Sequence, residues 1–218
     1  MQRAHCSKGR AVVRSARGVL ALLLSGLSAA LHAECACLWE GSFSDVQQSA
    51  DLVIAGRILS IKGNAVDVAV EESLRGRTYL DSVRVWMETR DYCRPPAEDF
   101  PVGSRWVLAL KRIHEVPGDG FDPSTPSQSF GRVDDYYLSS CGGYWLDYSG
   151  EAVTGNLVNA PRWARNPDMT PVLIDLLRAF VRSEASSEAL LKASREDPAL
   201  TDLKLDTKAF LRGDEGGD

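Results

Sequence analysis

Leu52-Val53-Ile54-Ala55-Gly56-Arg57-Ile58-Leu59-Ser60-Ile61 decides the fold. The run is rich in β-branched residues and reads as a long first strand, bent or bulged at Gly56. Lys62-Gly63-Asn64 supplies a turn. In Ala65 to Val70 the valines at 66, 68 and 70 share one face, with Asp67 and Glu71 on the other, so this stretch is the hairpin partner. Leu74-Arg75-Gly76 ends it. Val83, Val85 and Met87 alternate with Arg84, Trp86 and Glu88 in a third strand that runs into Cys93. Pro95, Pro96 and Pro101 stiffen the loop to a fourth strand, Gly103 to Lys111, with Trp106, Leu108 and Leu110 on one face. A long Pro- and Gly-containing loop spans Glu115 to Ser129. Arg132 to Ser140 is the fifth strand, closing at Cys141 and Gly142-Gly143. Ahead of the first strand, Ser44 and Gln47 suit a capping box for a short helix over 45–50, with Phe43 as its staple. Five short strands and at least two helices predict a mainly β fold, a five-stranded OB-like Greek-key barrel, with a β-sandwich as the competitor.

Residues 1–33 read as a signal peptide. Five cations and no acid precede an apolar stretch, Val19 to Leu31, and Ala33 is a suitable cleavage residue. Removal lowers Lys+Arg from 25 to 20 against 30 Asp+Glu, a formal net charge of −10. Such a surface disfavours nucleic acid and anionic lipid as partners. No later stretch is long enough to span a membrane. His114 is then the single histidine, which excludes the common zinc hydrolase sites and disfavours an enzyme. No metal or cofactor is expected.

Four cysteines remain: Cys35, Cys37, Cys93 and Cys141. An even count in an oxidising compartment, periplasmic or extracellular, predicts two disulfides. A Cys35–Cys37 ring would be strained, which leaves two pairings, each joining the N-terminal segment to both distant cysteines. A four-cysteine metal site is the lesser reading, because Cys93 and Cys141 are isolated in sequence. Glu71-Glu72 and Asp134-Asp135 are neighbours that face opposite ways on a strand, so they read as solvated charges. Asp119 and Asp122 lack calcium-motif spacing. Trp39, Trp106, Trp145 and Trp163 read as core or rim, and Trp86, on a polar face, as a contact residue.

The barrel domain is expected over 34–161. A helical annex follows over 162–212, with helices at Val172–Val181, capped by Thr170-Pro171, and at Ser186–Ser194. The acidic tail, 213–218, is expected to be disordered.

Cys35-x-Cys37, a short helix ending in Ala50-Asp51, the run Leu52 to Ile58, Leu74-Arg75-Gly76, the lone Cys93, Phe100-Pro101-Val102-Gly103-Ser104-Arg105-Trp106-Val107-Leu108 and Cys141 together resemble a known family. They look like the inhibitory domain of tissue inhibitors of metalloproteinases (TIMPs) and the wider netrin-like module, over about Cys35 to Cys141. The resemblance implies the pairing Cys35–Cys93 and Cys37–Cys141. It also implies a secreted, non-catalytic binding module whose Cys-x-Cys ridge meets a zinc metalloendopeptidase. The α-amine and carbonyl of Cys35 would chelate the protease zinc, Ala36 would enter its specificity pocket, and Asp91-Tyr92 would lie alongside Cys37. Cleavage after Ala33 would leave Glu34 ahead of Cys35; cleavage after Glu34 would free the amine. The family's six-cysteine framework is reduced to four here. The alternative is a secreted or envelope interaction protein with an unknown protein partner and no protease target.

Overall fold

The computed structural model describes residues 37–89, 92–118, 120, 128–158 and 171–194. The strands are β1 (Leu52–Lys62), β2 (Ala65–Arg75), β3 (Ser82–Trp86), β4 (Arg105–Arg112), β5 (Tyr136–Tyr137), β6 (Trp145–Ser149), β7 (Ala152–Gly155) and β8 (Val172–Leu173). The α-helices are α1 (Phe43–Val46), α2 (Ile174–Val181) and α3 (Ser187–Ala193). β1 pairs antiparallel with both β2 and β4, and β2 with β3. β3 runs parallel to β5, and β5 antiparallel to β4, which closes a five-strand barrel. The chain is therefore mainly β, a closed barrel with a few short helices.

The first hairpin, β1 with β2, forms where the alternation places it. Gly63 turns it at φ 59°, and Val66, Val68, Val83 and Val85 are buried in the barrel core. β1 shifts register against β2 at three places, Val53/Ile54, Ala55/Gly56 and Ile58/Ser60, so the expected bulge at the glycine is one of three. Leu52 to Ala55 and Trp106 to Leu110 are buried without alternation. Strands covered on both faces read as continuous apolar runs. The cover is visible in the packing: Phe43 and Val46 of α1 and Ile174, Leu177, Phe180 and Val181 of α2 join the barrel residues in one core.

Several local expectations are corrected. The helix cap is Ser42, not Ser44, because Asp45 reaches back to accept the Ser42 N–H at 2.9 Å. Phe43 is then the first helical residue and wholly buried rather than a staple. The fifth strand is two residues long instead of nine. A turn at Arg132–Asp135, with Asp134 at φ 71°, breaks it before Tyr136. Trp86 is not an outward contact residue. It is buried against Ala65 and Ile113, and its Nε1–H donates to Asp135 at 2.9 Å. Glu71 and Glu72 do face apart, but neither is merely solvated. Glu71 meets Arg57 at 3.3 Å and Arg105 at 2.6 Å, while Glu72 meets Arg178 at 2.7 Å and Arg182 at 3.3 Å. The second set ties α2 to β2.

β6, β7 and β8 extend the sheet from β4 beyond the five strands expected. Val172-Leu173 belongs to β8, so α2 begins two residues later than its apolar stripe suggested. α3 starts as expected, with the Ser186 Oγ accepting the Ala189 N–H at 3.3 Å. Thr170, Trp163, the stretch 197–211 and the tail 213–218 lie outside the described residues.

Asp67 knots the hairpin to β3. Its carboxylate accepts a two-point fork from Arg84 at 2.7 and 3.0 Å, the Ser60 hydroxyl at 3.0 Å, and lies 3.1 Å from Lys62 Nζ. Hydrogen bonding by Arg84, above all, holds its carboxyl well below the usual carboxylate range, against the opposing effect of burial. A depressed folded-state pKa contributes stability that is present above the unfolded value, about pH 4, and is lost as pH falls below it. Asp67→Asn is therefore expected to lower the urea midpoint at pH 7 and to flatten its decline below about pH 4. Parallel decline in variant and parent would contradict this.

Candidate functional site

Three chain segments lie side by side at one end of the barrel, and their backbones explain why. The Glu40 N–H donates to the Cys141 carbonyl at 2.8 Å, and the Gly143 N–H to the Gly41 carbonyl at 2.9 Å. The Ser140 N–H donates to the Cys93 carbonyl at 2.9 Å. The stretch after Cys37, the Cys141 turn and the Cys93 segment are thereby laid against one another. Gly143 is required at its turn: a Cβ there would stand 2.6 Å from the Asn156 carbonyl oxygen and 2.7 Å from the Phe43 nitrogen.

Covalent bonding follows that layout. Cys37 and Cys141 form a disulfide with a Cα–Cα distance of 5.7 Å across 104 residues. Cys93 is also disulfide-bonded. Cys35, the partner that the resemblance implies for it, lies outside the described residues, as do Glu34, Ala36 and Asp91. The sulfurs of Cys37, Cys93 and Cys141 lie within 4.8 Å of one another, a spacing that could suit a metal. As disulfide sulfurs they offer no thiolate, and the thiolate is the metal ligand. Of the six residues expected in the ridge, Cys37 and Tyr92 are described. The Cys37 sulfur lies within 4.8 Å of that of Cys93, the residue that follows Tyr92. Leu38, one residue beyond the bridge, is 86% exposed.

Polar groups fasten the base of this segment. Glu40 Oε2 accepts from Lys111 Nζ at 3.0 Å and from the Tyr144 hydroxyl. Burial opposes ionisation of Glu40, but the hydrogen bonds from Tyr144 and Lys111 outweigh it and hold the carboxyl below its ordinary value. Tyr144 is fully buried, and burial together with the bond to Glu40 pushes its phenol up. A buried hydroxyl needs such a partner.

Beside the bridge is a cleft of about 480 Å³. Glu40, the Cys93 segment, the end of β4, Pro117, Phe130 and Tyr137 line it, with Arg94 against its floor. Arg94 is 5% exposed, and its guanidinium lies 4.4 Å from the Phe130 ring centre and 4.7 Å from that of Tyr137. Its Nη1 donates to the Phe130 carbonyl at 2.6 Å. Burial pulls its pKa down to about 10, which leaves it charged at neutral pH. Tyr92 stands edge-on to Phe130 at 4.6 Å and completes the aromatic cage. His114 is exposed at the cleft mouth next to Glu115.

Arg94, Glu40, Lys111 and Tyr144 escaped the sequence reading. A charged residue between Cys93 and Pro95 gives no hint that distant aromatics will enclose it. Trp106 and Trp145 are buried and Trp39 is half-buried, in keeping with core or rim positions. Asp119 and Asp122 lie outside the described residues. No protein-family model, no curated protein and no solved structure matches the chain.

Proposed function

We propose that this chain is an exported, non-catalytic binding module, an OB-type barrel of the netrin and TIMP kind, whose Cys35–Cys37 segment forms a ridge directed at a zinc metalloendopeptidase. The observation that carries the reading is the staple. The Cys37–Cys141 bond pins the N-terminal segment beside the Cys93 segment while Leu38 stays exposed, so the segment is both held and presented. A pre-ordered ridge loses little entropy on docking. The barrel order supports the fold part: β1-β2-β3-β5-β4, closing on β1 with β3 and β5 parallel, is the order expected of an OB barrel. Export is supported by the disulfides. No described helix is long and apolar enough to cross a membrane.

Chelation requires a free α-amine on Cys35. The matching experiment is N-terminal sequencing of the exported protein together with titration against a panel of zinc endopeptidases, with Ala36→Arg as the control. The expected result is a start at Cys35, inhibition at micromolar concentration, and its loss in the variant. A start at Glu34 with no inhibition would overturn the ridge reading. One sequence feature favours the second reading, an interaction protein without a protease target: Glu34 stands between Ala33, the suitable cleavage residue, and Cys35, so cleavage after Ala33 would put a carboxylate ahead of the chelating position.

A further inference from the structure

We propose that the cleft beside the Cys37–Cys141 bridge binds a small carboxylate with an apolar body, its carboxylate seated on Arg94 and its body against Phe130, Tyr92 and Ile113. The cleft volume of about 480 Å³ lies in the range of small-molecule sites. Tyr92, Ile113, Pro117, Phe130 and Tyr137 give it apolar surface, and Arg94, Lys111 and Arg112 line it together with the carboxylates of Glu40 and Glu115. Apolar surface beside a fixed cation suits an amphipathic ligand.

The charge argument turns on which cations are already neutralised. Lys111 is committed to Glu40 at 3.0 Å, and Arg112 lies 3.6 Å from Asp134 and 3.3 Å from the Tyr136 hydroxyl. Arg94 has no carboxylate partner among the described residues. One N–H is spent on the Phe130 carbonyl, and the aromatic faces stabilise the cation without using its remaining donors. A desolvated guanidinium is costly unless paired, so an entering anion gains more here than at the surface. The planar fork matches a carboxylate in two-point geometry. A phosphate, with more charge to neutralise, would find Arg94 as the one lining cation without a carboxylate partner among the described residues, with Glu40 and Glu115 in the same lining. The inference shares Tyr92 with the inhibitory ridge but needs neither the Cys35 amine nor a protease, since it rests on Arg94, Phe130 and Ile113.

The test is calorimetric titration of the full exported chain with N-acetylphenylalanine, with its primary amide, and with inorganic phosphate. The acid is expected to bind saturably, and the amide at least about tenfold more weakly, because the amide leaves the buried charge unpaired. Arg94→Lys keeps the charge but loses the stacked fork, and is expected to weaken the acid by a similar factor while leaving the amide unchanged. If that variant does not fold, the acid–amide comparison on the parent decides alone. Equal affinity for acid and amide, no saturable binding of the acid, phosphate binding as tightly as the acid, or a folded Arg94→Lys with undiminished affinity would each overturn the proposal.

Discussion

Replacing Cys37 and Cys141 together by serine is expected to cost about 4 kcal/mol of folding stability, which lowers the melting temperature by about 10 °C in a chain of this size. The bridge closes a loop of 104 residues, the regime in which a cross-link restricts the unfolded chain most. A typical domain is stable by about 5–15 kcal/mol, so the loss is a large share of the total. The double variant is the right reagent. A single Cys37→Ser would leave a Cys141 thiol within 4.8 Å of Cys93, where thiol–disulfide exchange would scramble the second bridge. The damage should also be local before it is global. The bonds from Glu40 N–H to Cys141 and from Gly143 N–H to Gly41 hold the pinned segment, and their amides should exchange faster than those of β1. An unchanged melt, or uniform exchange across the barrel, would show that backbone hydrogen bonds alone fix this segment.

The contrast between legible and hidden parts of this fold follows from what each signal measures. Alternating valines in β2 and β3, and the glycine inside β1, are local signals, and the barrel keeps them. The β6–β7 hairpin was legible in principle: Trp145, Leu146 and Tyr148 precede a turn at Gly150, which adopts φ 59°. It falls beyond the fifth strand of the sequence pattern, which closes at Cys141. The helix cap slipped by two residues because Ser42 and Ser44 are both good caps, and only the position of Asp45 chooses between them. The site was less legible still. The cysteines announced a staple, but Arg94 and Tyr144 acquire their meaning from Phe130, Tyr137 and Glu40, which are far away in sequence. Burial of a charge is a tertiary property, and no window of neighbours encodes it.

The second large effect is expected at Gly56. Gly56→Ala should destabilise the barrel by about 3 kcal/mol, the upper part of the range for forced overpacking. The residue sits in two ladders at once, opposite Val70 of β2 and Trp106 of β4, at one of the places where β1 shifts register against β2. A methyl group there would stand 2.5 Å from the Ala69 carbonyl oxygen and 2.8 Å from a Val68 methyl carbon. The first neighbour is backbone within a hydrogen-bonded sheet, so relief requires moving a strand rather than turning a side chain. Moving β2 would disturb the pairing that keeps Val66 and Val68 in the core, since a register slip transfers a strand's apolar face outward. Gly118→Ala is the matched control, because nothing lies within 4 Å of the added Cβ. Surface changes of that kind fall within about 0.5 kcal/mol. Urea unfolding of the two variants measures both costs. Equal, small costs would mean that the bend in β1 is set by its neighbours and tolerates a side chain, so the glycine would mark the bulge without causing it.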